Sequence, residues 1–349
     1  MFCQERQVHT IEGEYSHDYI IKKGDILVGM DGNFNLGIWD DIDGLLCQRV
    51  CKLYTKDETR LLNGFIRHYM KPVFRQIEES TPGGSVKHLS AKAINSIHIP
   101  LPPLPVQEEI VRVLEAFTEL QAELQAELQK RKQQYNYYRD NLLSFKGRTD
   151  VEWKKLGEIA SIKTGRRFVR TDIRESGVPC FHYGDIYTYY GLTATQTKGY
   201  LDKELAKKLR FAQPNDVVVV CAGENDMDIG VGVAWLGDKP AVVHDACCIL
   251  HHNQSPRYIS HFLRTHNYHL QMKKYVKNGK ISSLPASGLA EALIPLPSFE
   301  EQERIAAILD RFDTLTTDLT QGLPAEIEKR RQQYEYYRDK LLTFKRKGA

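Results

Sequence analysis

The chain has 349 residues, with 48 Lys+Arg against 45 Asp+Glu, a net charge of +3, 42% hydrophobic and 27% charged residues. At roughly 150 residues per domain this length suggests two domains, and the composition excludes global disorder. No run approaches the ~18 apolar residues of a membrane helix, and the charged start MFCQERQVHTIEGEY lacks the apolar core of a secretory signal. Short β-type runs come first, KKGDILVG (22–29) and LCQRVCKL (46–53), then the Pro-rich IPLP (99–102). From Gln107 apolar residues recur at steps of three and four, through Ile110, Val113 or Leu114, Phe117, Leu120, Leu124, Leu128, Tyr135, Tyr138, Leu142 and Phe145, which predicts one long amphipathic helix over 105–146. Pro105 with Glu108 and Glu109 suits its first turn. Residues 151–298 carry β-rich runs at 216–221, 230–235 and 241–250, with a helix expected at 256–275. A second stripe, Ile305, Ile308, Phe312, Leu315, Leu319, Leu323, Ile327, Tyr334, Tyr337, Leu341 and Phe344, predicts a second helix over 299–345, kinked near Gly322 and Pro324.

Seven cysteines, Cys3, Cys47, Cys51, Cys180, Cys221, Cys247 and Cys248, are odd in number and mostly in apolar runs, which predicts buried, reduced thiols and a cytoplasmic location. Charge is uneven: residues 151–298 carry 19 Lys+Arg against 14 Asp+Glu, while 105–146 carry 6 against 7. That permits phosphate binding without requiring it.

The chain repeats itself. KRKQQYNYYRDNLLSF (130–145) returns as KRRQQYEYYRDKLLTF (329–344), identical at 12 of 16 positions. IPLPPLPVQEEIVRVLEAF (99–117) returns as IPLPSFEEQERIAAILDRF (294–312), and GGSVKHLSAKAINSIHIPLP (83–102) matches NGKISSLPASGLAEALIPLP (278–297). KKGDILVG (22–29) resembles QPNDVVVV (213–220) and LCQRVCKL (46–53) resembles VHDACCIL (243–250), so ordered matches run at offsets of 191 to 199 and mean tandem duplication: a variable globular part, then a better-kept helix of roughly 60 Å. Two such helices bury their stripes most simply against each other, antiparallel, as a ruler between two readers. Phe117 to Tyr135 spans 18 residues and Phe312 to Tyr334 spans 22, so the second helix is expected to be about 6 Å longer. The first copy also holds the tetrad repeat LQAE (120–127).

IPLPSFEEQERI followed by a helix ending QQYEYYRDKLLTF, duplicated after a variable domain, resembles the specificity (S) subunit of type I restriction–modification enzymes over almost the whole chain. The resemblance implies an α+β fold: two mixed α/β target recognition domains (1–104 and 151–298) and two long antiparallel coiled-coil helices, related by a pseudo-two-fold. It implies double-stranded DNA as target, each domain reading half of a split asymmetric site. It also implies docking of two modification subunits that methylate adenine N6, and of restriction subunits. S-adenosylmethionine, ATP and Mg would belong to those partners, and this chain would hold no cofactor. Val106 stands where the second copy has Glu301, although Gln107 matches Gln302. About 40 residues matching the segment from Val151 to Tyr187 have no counterpart before the first domain, which therefore reads as incomplete at its N-terminus. The other reading is an S-like fragment that regulates assembly or supplies recognition sequence.

Catalytic residues are not expected. The chain has no Asn/Asp-Pro-Pro-aromatic segment for a flipped base, no GxGxxG and no GxxxxGK[ST]. The adjacent Cys247 and Cys248 point to opposite faces of a strand, so no metal site is expected. For DNA, SIKTGRRFVR (161–170) offers Lys163, Arg166 and Arg167 on a glycine turn, suited to phosphates or guanine edges, or else a plain solvated turn. Tyr183 is a stacking or core residue. Asn225, with Asn33 at the matching place, reads adenine or forms a turn. Lys280 and Ser282, matched by Ser85 and Lys87, contact DNA or define a turn. The Tyr-rich helix ends, Tyr135, Tyr137 and Tyr138 with Arg139, and Tyr334, Tyr336 and Tyr337 with Arg338, are either coiled-coil core or a docking surface. Tyr137, Arg139, Tyr336 and Arg338, with Gln107 and Gln302, are the docking candidates.

Overall fold

The computed structural model describes residues 13–80, 87–223, 229–277, 279 and 281–345. The fold divides into two compact units. One takes the chain up to Leu124 together with Ile327 onward; the other is Gln125–Glu326. Each therefore holds one globular part and a share of both helical segments.

In the second unit a five-stranded sheet runs in the order Ala160–Thr164, Cys247–His252, Val217–Val220, Gly232–Trp235 and Thr193–Ala194. A four-stranded sheet, Gly199–Leu201, Val178–Phe181, Ala241–Val243 and Phe211–Ala212, packs on one of its faces. The uninterrupted Val217–Val220 run reflects burial on both sides. Val218 and Val220 meet Phe181, Ala241 and Val243, whereas Val217 and Val219 meet Tyr258, Ile259 and Phe262. Cys247 and Cys248 likewise fall into opposite cores, as their alternation requires. The run 241–250 divides into two strands of different sheets, cornering at His244–Ala246. The helix expected at 256–275 is two, Pro256–Phe262 and His266–Met272, because Thr265 caps the second by accepting from the Tyr268 N–H.

In the first unit an antiparallel sheet of Leu36–Ile38, Ile26–Gly29 and Val50–Leu53 is covered by the helix Asn63–Ser80. Val28, Phe34, Ile66, Met70, Phe74, Leu89 and Ile94 form its core. The cysteine expectation fails at one place here: Cys47 precedes the strand and is exposed, although Cys51 is half-buried.

The first long helix spans Leu104–Leu142 and ends before Phe145, which adopts a positive φ of 44°. In the first unit its early part pairs with the end of the second copy: Phe117 stacks on Tyr337 at 5.4 Å, and Ile110 and Leu114 cluster with Tyr334, Leu341 and Phe344. In the second unit Phe312 stacks on Tyr138 at 5.4 Å, and Ile305 and Leu309 cluster with Tyr135, Leu142 and Phe145. Start meets end in both, so the pairing is antiparallel. The second helix is not one element but two, Phe299–Thr317 and Leu323–Leu341. The four extra residues do not lengthen it as expected; they fall in a turn. The Asp318 carboxylate accepts from the Thr320 N–H and hydroxyl and the Gln321 N–H, and the second segment restarts with Pro324 in its first turn, where a missing N–H is harmless. Leu319, expected in the stripe, is 79% exposed on that turn.

Candidate nucleic-acid interface

Strand Ala160–Thr164 runs antiparallel to Cys247–His252, with Lys163 opposite Ile249 and Thr164 opposite Cys248. It ends at Gly165, whose amide bonds the Cys247 carbonyl at 2.8 Å. A Cβ there would lie 2.2 Å from the His244 carbonyl oxygen, so glycine is required for the close crossing. The Arg166 amide then bonds the Val243 carbonyl, and Phe168 buries its ring edge-on against His244 at 5.0 Å. The basic turn is thus pinned at both ends.

A second basic segment meets it. The Arg166 guanidinium donates to the Lys208 carbonyl at 2.8 Å, and the Arg210 guanidinium donates back to the Thr164 carbonyl. These two arginines brace the segments, which leaves Lys163, Arg167, Arg170, Lys207 and Lys208 exposed on neighbouring stretches of one unit. Lys207 pairs with Glu204 at 2.6 Å, whereas among the described residues Lys163, Arg167, Arg170 and Lys208 carry no ion pair. Sequence reading found the 163–167 half; the signal for the other half was present in KELAKKLR (203–210) but carried no indication that it folds beside the first. Tyr183 is half-buried, its ring 4.6 Å from His182 and 5.3 Å from His244.

Other expected contacts fall elsewhere. Ser282 is buried in a two-stranded pairing with Gly223, which removes it from any DNA surface. The Lys87 ammonium donates to the Glu78 carbonyl and holds the chain to the end of a helix. Asn33 is exposed and borders a cleft of about 550 Å³ with Lys71, Arg75, Arg331 and Arg338. Asn225, Lys280 and Ser85 lie outside the described residues. Among the described residues no group of three or more His, Cys, Asp or Glu side chains is placed to hold a metal ion.

The docking candidates divide sharply. Gln107 and Gln302 are 0% and 1% exposed, which overturns the expectation that they face a partner. The Gln107 carboxamide accepts from the Leu62 amide and donates to the Arg60 and Pro102 carbonyls. Gln302 accepts from the Ser255 amide and donates to the Pro297 carbonyl and Gln254 Oε1. Each clamps a Pro-rich hinge to its own globular part. Arg139 is also buried, over the Tyr135 ring at 5.5 Å, and Arg338 lies over Tyr334 at 5.9 Å. Tyr137 and Tyr336, by contrast, are 64% and 60% exposed.

Beneath each Tyr–Arg pair sits a buried histidine. His68 Nδ1 lies 3.3 Å from the Tyr334 hydroxyl, and its Nε2 accepts from the Arg67 guanidinium at 3.0 Å. Burial, with Arg67 and Lys71 nearby, holds its pKa down to about 3. His261 Nδ1 lies 3.1 Å from the Tyr135 hydroxyl, while its Nε2 donates to Asp310 at 2.8 Å. The two imidazoles therefore carry their proton on opposite nitrogens.

A family model described as the type I restriction modification DNA specificity domain matches residues 6–131 and again 149–329. The chain is 34% identical over 321 residues to the EcoR124I/EcoR124II type I restriction enzyme specificity subunit of Escherichia coli, covering 88% of this chain and 77% of that one. It is 28% identical to a putative type I specificity subunit of Haemophilus influenzae, covering 96% and 84%. Among solved structures, a chain from work on complex assembly and conformational transition of the type I restriction–modification system superposes with a TM-score of 0.61 at 18% identity, covering 93% and 82%. The S subunit from M. genitalium gives 0.57 at 16%, covering 94% and 85%. No helix among the described residues is long and apolar enough to cross a membrane. With the repeated domain, the antiparallel helix pairs and a family model matched twice, the chain belongs to the type I restriction–modification DNA specificity family, the non-catalytic specificity subunits of those systems.

Proposed function

We propose that this chain reads a bipartite, asymmetric site in double-stranded DNA for a cytoplasmic type I restriction–modification complex. Residues 151–298 read one half-site and residues 1–104 the other. The observation that carries the reading for the second domain is the braced pair of basic segments, 163–170 and 207–210, which together present Lys163, Lys208 and two arginines, Arg167 and Arg170, without ion pairs among the described residues. Cations held in a fixed array neutralise successive phosphates and set the register in which base edges are then read.

Two modification subunits dock on the helical segments, where Tyr137 and Tyr336 leave repeated aromatic surface uncovered, and restriction subunits join them. S-adenosylmethionine, ATP and Mg are bound by those partners. The test is reconstitution: the chain with its cognate modification subunits should methylate adenine at a split site, mapped by sequencing of modified bases. Failure to assemble, or methylation without sequence preference, would refute it. Methylation by the isolated chain would refute the assignment of the chemistry to the partners.

A further inference from the structure

Between the basic turn and the His244–Ala246 corner lies a cleft of about 390 Å³ that Lys163, Lys207 and Lys208 do not line. Arg167 and Arg170 stand on one side, without ion pairs among the described residues, and Val169 and Ile281 give it an exposed apolar rim. Its floor is aromatic: His182 lies 4.8 Å from His244, and Tyr183 lies against both. His182 Nδ1 accepts from the Gly184 amide at 3.3 Å, so the neutral ring carries its proton on Nε2. His244 Nδ1 accepts from the Ala246 amide at 3.1 Å. Asp245 is 3.0 Å from the same nitrogen, but burial outweighs it and pulls the His244 pKa down, so this ring is also neutral.

The cleft thus combines guanidinium donors, the His182 imidazole N–H (that of His244 goes to the Phe168 backbone) and one carboxylate, Asp245, beside stacked rings. A pure phosphate site would not include the carboxylate, which repels the backbone. In the major groove a G·C pair offers two acceptors on guanine, N7 and O6, and one donor, the cytosine N4 amino group. An A·T pair also has two acceptors, adenine N7 and thymine O4, but its donor, adenine N6, lies between them and a methyl closes the thymine end, so adjacent acceptors followed by a donor belong to G·C alone.

We propose that this cleft reads a G·C base pair of the second half-site through its major-groove edge, Arg167 or Arg170 bonding guanine and Asp245 accepting from cytosine. The assignment rests on the proposed DNA-reading function.

The experiment uses the chain assembled with its modification subunits and compares wild type with Arg167→Lys, Arg170→Lys and Asp245→Asn by genome-wide methylation mapping. Asp245→Asn and one of the two lysine variants should relax the motif at one and the same base pair, raising methylation of the mismatched site relative to the matched one by about 5- to 150-fold. A synthetic site carrying 7-deazaguanine at that position should slow the wild type and leave the relaxed lysine variant unaffected. Equal thermal midpoints and equal assembly exclude misfolding. An unchanged motif in Asp245→Asn, or an even loss of affinity on all sequences, overturns the cleft assignment while the wild-type methylation stands. A wild-type complex that methylates without preference would instead overturn the DNA-reading function and this inference with it.

Discussion

Replacing Gln302 by leucine tests whether the repeated glutamine is a clamp or a docking residue. Leucine matches its bulk but leaves the Ser255 amide and the Pro297 carbonyl without partners, and both residues are buried. At about 1–3 kcal/mol for each orphaned group the substitution should cost about 3 kcal/mol, with Gln254, half-exposed, rescued by water. Gln107→Leu removes the same three bonds, but Leu62 and Pro102 are half-buried and Arg60 is exposed, so water re-enters and the loss should be near 1 kcal/mol. Urea unfolding followed by tryptophan fluorescence suits the comparison, because Trp153 and Trp235 lie in the Gln302 unit and Trp39 in the Gln107 unit. Equal costs would refute the burial argument. Full stability of Gln302→Leu combined with lost binding of modification subunits would restore the docking role.

Three further outcomes follow from the same structure. His68 has a folded pKa near 3 against 6.5 when free, so the unfolded chain takes the proton first; stability present above pH 6.5 should fall by about 1.4 kcal/mol per pH unit as acid is added, and His68→Gln should flatten that part of the curve in urea titrations at several pH values. Lys163→Ala and Lys208→Ala should each weaken DNA binding alike on all sequences and reduce the slope of log affinity against log salt by about 1; an unchanged slope would remove that lysine from the phosphate contacts. Adding one LQAE tetrad to the helix Leu104–Leu142 adds about 6 Å of helix and should widen the gap between half-sites while leaving their bases unchanged, as read by methylation mapping.

The helical segments were the most legible part of the chain because their pattern is local: a stripe at three- and four-residue steps, repeated, implies pairing of like with like. The kink expected near Gly322 and Pro324 is there, but as a complete break: what escaped was the turn at Asp318–Gly322, where a carboxylate cap ends the first segment before Pro324 begins the next. The stripe continues through Leu315 and Leu319 in the sequence, but periodicity cannot register that Leu319 faces solvent. The basic turn itself was legible for a similar local reason, since a glycine between charged residues marks an exposed turn. Its partner segment was not, because a carbonyl at Lys208 receiving Arg166 is a contact across 42 positions. Arg166 shows the cost of reading residue types alone: its charge suggested DNA, and its guanidinium bonds the neighbouring backbone.

Three positions kept identical between the two copies, Gln107 with Gln302, Tyr135 with Tyr334 and Arg139 with Arg338, lie in the joints where helix, hinge and globular part meet, and each pair makes closely matching contacts in the two units. A joint must be reproduced twice if two domains are to be carried in the same way. A reading surface need not be, and must differ if the two half-sites differ as proposed. The histidines under the tyrosines mark the limit of that rule. The ring is kept, but Asp310 opposite one and Arg67 beside the other place the proton on opposite nitrogens, so the joint tolerates either tautomer as long as the tyrosine hydroxyl finds a partner. Exchanging these surroundings is therefore cheaper than removing the ring: Asp310→Asn, whose amide oxygen still accepts from His261 Nε2, should cost little, whereas His261→Leu should take the partner from the buried Tyr135 hydroxyl and from Asp310 Oδ1 and cost about 2–4 kcal/mol by the same urea assay. A larger loss from Asp310→Asn than from His261→Leu would mean that the carboxylate, through its second contact with Arg257, and not the ring, holds the joint.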